Sequence, residues 1–108
     1  MNDMTIQEIL EKQQELQERY YEKWGGLEPR KGRDCLLWMM IEAGEAADVI
    51  KKEGDEAIME QDEIRKDFVE ELCDVMMFLG DVMLCYDIKA EELEAVYRAK
   101  HDRNMKRW

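Results

Sequence analysis

Two of the most apolar stretches of this chain are threaded with acids, and that combination constrains the fold more than any other feature. LLWMMIEAGEAADVI (36–50) carries Glu42, Glu45 and Asp48, and FVEELCDVMMFLGDVML (68–84) carries Glu70, Glu71, Asp74 and Asp81. An ionised acid held in apolar surroundings without a partner costs on the order of several kcal/mol. A fold that accepts both stretches must supply a proton, a counter-charge or a cation there.

Glu42 and Glu45 are three residues apart, as are Glu71 and Asp74. On a helix such residues share a face, about 5–6 Å from one another. Asp48 continues the first pair by one turn, and Asp81 lies two turns past Asp74. Two helices of this kind packed antiparallel aim four carboxylates, Glu42, Glu45, Glu71 and Asp74, at one point. Four like charges in a half-buried space need a cation or raised pKa values. Carboxylate oxygens alone suit a hard divalent ion, Mg²⁺ first and Mn²⁺ second.

Spacing by itself is weak support, because the chain has 27 acids. Glu8/Glu11, Glu15/Glu18, Glu60/Glu63 and Glu91/Glu94 have the same separation but polar neighbours, and read as solvated faces. The two internal pairs differ in context. Ala43, Gly44, Ala46 and Ala47 surround the first and let a neighbouring helix approach. A di-iron bundle needs Glu-x-x-His on two helices, and the single histidine, His101, follows no such glutamate. It reads as an exposed polar residue. Zinc lacks His and paired Cys ligands.

The chain reads as one all-α domain, 1–108, of four helices in an up-down bundle. Thr5 to Trp24 is the first, with Thr5 as N-cap, Glu8 completing a capping box, and Ile6, Ile9, Leu10, Leu16 and Tyr20 at helical spacing. GGLEPRKG, with the only proline, breaks it. The second runs from near Asp34 to Lys52, with Leu36, Met40, Ala43, Ala47 and Ile50 on one apolar face. EGDEAIMEQ reads as a loop. The third runs from Asp62 to Cys85, with Val69, Leu72, Met76, Leu79 and Met83 as its stripe. YDIKA precedes the fourth, Glu91 to Arg107. So small a domain gains by oligomerisation.

A formal net charge of −11 opposes binding to nucleic acid or to an anionic membrane. The opening MNDMTIQEIL is polar, so no signal peptide is expected, and no apolar run approaches the roughly 20 residues of a membrane span. Cys35, Cys73 and Cys85 lie in apolar stretches and read as small core residues in a reducing cytoplasm. The expectation is a soluble cytoplasmic protein.

Glu42-x-x-Glu45 followed by Glu71-x-x-Asp74 resembles the signature of the all-α MazG-like nucleoside triphosphate pyrophosphohydrolases. That superfamily includes dimeric dUTPases, dCTPase-like enzymes and phosphoribosyl-ATP pyrophosphohydrolases. Tyr97-x-x-Lys100-x-x-x-Asn104-x-x-Arg107 looks like the family's phosphate-contacting segment, so the likeness covers residues 36–107. It implies Mg²⁺ ligands at Glu42, Glu45, Glu71 and Asp74, with Lys100, Asn104 and Arg107 on the triphosphate. Residues 97, 100, 104 and 107 share one helix face, although a basic last turn also offsets a helix dipole with no ligand at all.

The reaction so implied is hydrolysis at the alpha phosphorus, giving a nucleoside monophosphate and pyrophosphate. Glu45 or Glu70 takes the proton, and Asp48 is an extra or outer ligand. Trp38, four residues before Glu42, and Phe78, four after Asp74, are candidates to stack on a base, or else core aromatics. Tyr20, Tyr21 and Trp24 are further candidates, from the same or a neighbouring subunit. The expected assembly is a homodimer or dimer of dimers. Two other readings stay open: a non-catalytic acidic helical module that binds a basic partner, and a phosphoribosyl-ATP pyrophosphohydrolase.

Overall fold

Residues 3–107 are described by a computed structural model, and Met1, Asn2 and Trp108 lie outside the described residues. Six helices follow in order: α1 (Ile6–Arg19), α2 (Tyr21–Trp24), α3 (Pro29–Glu53), α4 (Asp55–Glu60), α5 (Asp62–Cys85) and α6 (Ala90–Arg107). No strand occurs among the described residues. The described residues are all-α, with six helical segments where the periodicity suggests four.

Thr5 caps α1 as expected, its Oγ1 accepting the Glu8 amide at 3.0 Å. The first helix does not run unbroken to Trp24, because the backbone turns at Tyr20 and restarts as the short α2. Gly25, at φ 77°, ends that turn in a conformation few other residues adopt. α3 begins at Pro29 rather than near Asp34. Proline fits a first helical turn, where its missing N–H would have no partner. Gly32 then sits inside α3 for lack of room: a Cβ there would collide with the Tyr86 ring.

The connector EGDEAIMEQ is not a loop. Gly54, at φ 86°, terminates α3, and six residues later α4 has already formed and ended. Asp55 and Glu56 complement the dipole in its first turn, and Ile58 is buried. α5 has the expected bounds, Asp62–Cys85, and α6 starts one residue early, at Ala90.

α3 and α5 pack along most of their lengths, with α1 against α5 and α6 against α1. They run antiparallel, since Trp38 meets Phe78 at one end while Val49 and Ile64 share a groove at the other. The closed core sits at the far end of α5, where Leu10, Met83 and Ala90 are joined by Ile6, Leu84, Ile88 and Leu93.

The apolar faces expected to form the core mostly do not. Leu36, Met40 and Ile50 on α3 are exposed, as are Val69, Leu72, Met76 and Leu79 on α5, and of that stripe only Met83 is buried. Cys73 is exposed with them, whereas Cys35 and Cys85 are buried and free. The reason is that both helices are apolar on more than one face. They meet through a seam that includes Cys35 and Ala46, and the larger side chains are left outside. The described chain has a radius of gyration of 16.3 Å, against about 13 Å for a compact domain of this length. Among the described residues no helix is long and apolar enough to cross a membrane.

Candidate metal centre and the adjoining cavity

α3 delivers Glu42 and Glu45, and α5 delivers Glu71, to one place. Each offers a carboxylate oxygen within 4.8 Å of the other two. Glu42 and Glu71 are half-buried and Glu45 is exposed. Glu42 Oε2 and Glu71 Oε2 are shut away from solvent with no hydrogen-bond donor in reach. A carboxylate is acceptor-only when ionised, so three of them cannot satisfy one another.

Protonation shows the strain. Burial pushes Glu42 from its ordinary 4.5 up to about 7, and the charges of Glu45 and Asp74 act in the same direction. Burial also raises Glu71, as does its contact with Glu45, while the hydrogen bond with Glu42 opposes the rise. Both carboxyls are crowded by like charge, and a proton on Glu42 would relieve part of it. A divalent cation does the same work better, because it gives charge to all three carboxylates at once. Orphaned buried oxygens and an all-carboxylate donor set fit Mg²⁺ or Mn²⁺.

Asp74 stands beside this triad rather than in it. Its charge is felt by Glu42 and Glu71, and it also lines a neighbouring cavity of about 530 Å³. Glu70 is exposed on α5, next to Glu71. Asp48 pairs with Lys52 at 2.9 Å across one exposed turn, so it is engaged on the surface. It still shares a shallow groove with Glu45 and Glu71.

The cavity lies between α1, α2, α3 and α5. Trp38 and Phe78 form part of its wall, their rings 6.0 Å apart and tilted by 54°. Trp24 also lines it, with Tyr20 packed on its ring at 4.8 Å, while Tyr21 is exposed and is not part of the lining. Lys31 joins the wall and donates from Nζ to the Trp24 carbonyl, tying the start of α3 to the end of α2.

Three lining residues carry chemistry, and of these only Asp81 is noted in the sequence analysis, as an acid two turns past Asp74. Gln13, Gln17 and Asp81 are all buried, and Gln13 Nε2 donates to Asp81 Oδ1 at 3.0 Å. Burial raises Asp81, and hydrogen bonds from Gln13 and Gln17 partly counter it. Their signal was available: Gln13 and Gln17 fall in phase with Leu10 on the inward face of α1.

The phosphate-contacting set of the resemblance is not brought to the carboxylates. α6 packs against α1 and makes no contact with α3. Tyr97, Lys100, Asn104 and Arg107 are exposed along its length, as is His101. In comparisons with known proteins, no family model, no curated protein and no solved structure matches this chain.

Proposed function

We propose that this chain is a Mg²⁺-dependent nucleoside triphosphate pyrophosphohydrolase, which cleaves between the alpha and beta phosphates to give a nucleoside monophosphate and pyrophosphate. The observation that carries the reading is the convergence of Glu42, Glu45 and Glu71 within 4.8 Å, beside an aromatic-walled cavity of nucleoside size. The MazG-like spacing of the same acids supports it.

Glu42, Glu45 and Glu71 would hold the ion, with Asp74 adjacent. Bound there, a divalent cation supplies positive charge for the phosphate oxygens and Lewis acidity at phosphorus. Glu45, exposed at the edge of the triad, or Glu70, exposed next to Glu71, would take a proton from the attacking water. Trp38 and Phe78 line the space next to Asp74, where a base would lie. Lys100 and Asn104 reach a triphosphate only if α6 comes from a second copy or swings onto α3.

A second copy is part of the proposal. The chain exposes 8780 Å², where a folded monomer of 13.0 kDa exposes roughly 6,300 Å². The excess is ample for a stable homodimer or dimer of dimers, whose standard interface takes about 800 Å² from each partner. Leu36, Met40, Leu72 and Met76 are the exposed apolar residues it would cover. Light scattering should give at least a dimer for the wild type, and a smaller species for Leu72→Arg/Met76→Arg. A monomeric wild type refutes the assembly.

The activity is tested by a pyrophosphate-release screen over the eight common ribo- and deoxyribonucleoside triphosphates with Mg²⁺. Glu42→Gln and Glu71→Gln should each lower turnover by more than the about 10–100-fold typical of outer metal-site partners. Activity that survives both unchanged removes the metal assignment. No turnover of any nucleotide, with no effect of Mg²⁺ on melting, moves the protein to the acidic interaction module.

A further inference from the structure

α6 is anchored only at its start. Ala90 is buried and Leu93 packs on the closed core, while every residue from Ala95 to Arg107 is exposed. Among the described residues α6 packs against α1 alone. A bare helix of this length is marginal in water unless something covers it. Val96, Tyr97 and Met105 stand exposed along it.

The arm is charged against the rest of the molecule. Arg98, Lys100, Arg103, Lys106 and Arg107 face only Asp102 within residues 98–107, a net +4 in a chain of net −11. The helix dipole accounts for Lys106 and Arg107 in the last turn, and its effect fades beyond that turn. It does not account for Arg98, Lys100 and Arg103. Arg103 has Lys100, Lys106 and Arg107 three or four residues away, and like charges at those spacings destabilise a helix. Arg98, Lys100, Arg103 and Lys106 make no ion pair among the described residues.

The opposite charge collects around α4. Glu53, Asp55, Glu56, Glu60, Asp62 and Glu63 follow one another with no base between them, a net −6, and all six are exposed. Lys51, Lys52, Arg65 and Lys66 flank the stretch, but Lys52 is held by Asp48 and Arg65 leans on Met59 Sδ. Asp55 and Glu56 suit the first turn of α4, whereas Glu60 is its last residue, where the dipole disfavours an acid. Met59 beside it is exposed. α4 precedes α5 and α6 follows it, so the length of α5, about 36 Å, lies between them. Within one chain the two make no contact.

We infer that the basic arm of α6, Arg103 and Lys106 foremost, docks on the acidic α4 corner of a second copy and covers Met59. A two-fold arrangement makes the contact twice, arm to corner and corner to arm. This surface is separate from the apolar face of Leu72 and Met76, so the two together build a dimer of dimers. It needs neither metal nor nucleotide, and it goes beyond the pyrophosphohydrolase reading without resting on it.

The test is the mass of the full chain in EDTA by light scattering. Wild-type mass should halve between about 0.1 M and about 1 M NaCl, where screening shortens the reach of a charge from about 10 Å to about 3 Å. In the lower salt, Arg103→Glu/Lys106→Glu and Glu56→Lys/Glu60→Lys should each show half the wild-type mass with helical circular dichroism kept. Mixed in equal amounts they should regain it. The reversed arm of one then meets the reversed corner of the other, and the unchanged arm meets the unchanged corner. A wild-type mass that salt leaves unchanged overturns the proposal, as does a mixture that stays at the mass of its parts. If a variant unfolds, the salt dependence of the wild type still decides. Absent nucleotide turnover with these masses as expected sinks only the enzyme reading.

Discussion

α5 carries two kinds of buried acid, and they are handled in opposite ways. Asp81 sits among donors, held by the carboxamides of Gln13 and Gln17. Glu71, ten residues earlier and so about 15 Å along the helix, sits among acceptors, Glu42 and Glu45. One acid has partners within the chain. The other is placed so that only a proton or an outside cation can satisfy it. The difference leaves Asp81 satisfied within the chain and the three glutamates open to a cation.

The same carboxylate-to-amide change should therefore act with opposite sign at the two places. Asp81→Asn turns one glutamine donor towards an NH₂ group, and should destabilise the metal-free protein by about 1–3 kcal/mol in urea unfolding. Glu42→Gln removes repulsion and should raise the melting temperature of the same metal-free protein at neutral pH. If both changes destabilise equally, the contrast between the two acids is lost.

A smaller effect is expected from pH. Glu42 titrates at about 7 in the folded chain against an ordinary 4.5, so between these values the folded state binds more protons than the unfolded one. Stability from this group is full below pH 4.5 and is lost as pH rises through 7. Thermal melts in EDTA should fall over that window, and Mg²⁺ should restore the loss at its upper end. Glu42→Gln should flatten the slope, leaving a residue of the same sign from Asp81, which burial also raises. A melting temperature that rises across the window contradicts the assignment.

The smallest change is expected at Asp48. Its bridge to Lys52 is exposed, at 49 % for the aspartate and 71 % for the lysine, and such pairs contribute little. Asp48→Asn should leave turnover within about threefold of the wild type, as befits a residue outside the triad. A larger loss would bring Asp48 into the metal site.

The convergence of Glu42, Glu45 and Glu71 was legible because acid spacing and apolar context both marked it. The bounds of α5 were legible because its signals are strong at each end. α4 was not: Ala57, Ile58 and Met59 are too few to show a period among so many acids, and packing against α5 and α3 makes the turn worth forming. The outward direction of Leu72 and Met76 was also hidden, since periodicity shows which residues share a face and not what that face meets. Gln13 and Gln17 were overlooked because polar residues in phase with an apolar stripe were sought only among acids, and Asp81 was noted only as a continuation of the Glu71/Asp74 face. The α6 set was legible as a pattern, yet the chain places it against α1, away from α3.

The central claim is that Glu42, Glu45 and Glu71 form a divalent-cation site, and titration with Mn²⁺ tests it most directly, with the free ion followed by electron paramagnetic resonance. The account predicts saturable binding to the wild type and to Asp81→Asn, weakened at least about tenfold in Glu42→Gln and in Glu71→Gln. Wild-type protein that takes up no Mn²⁺, or uptake that both glutamate variants leave unchanged, would contradict it.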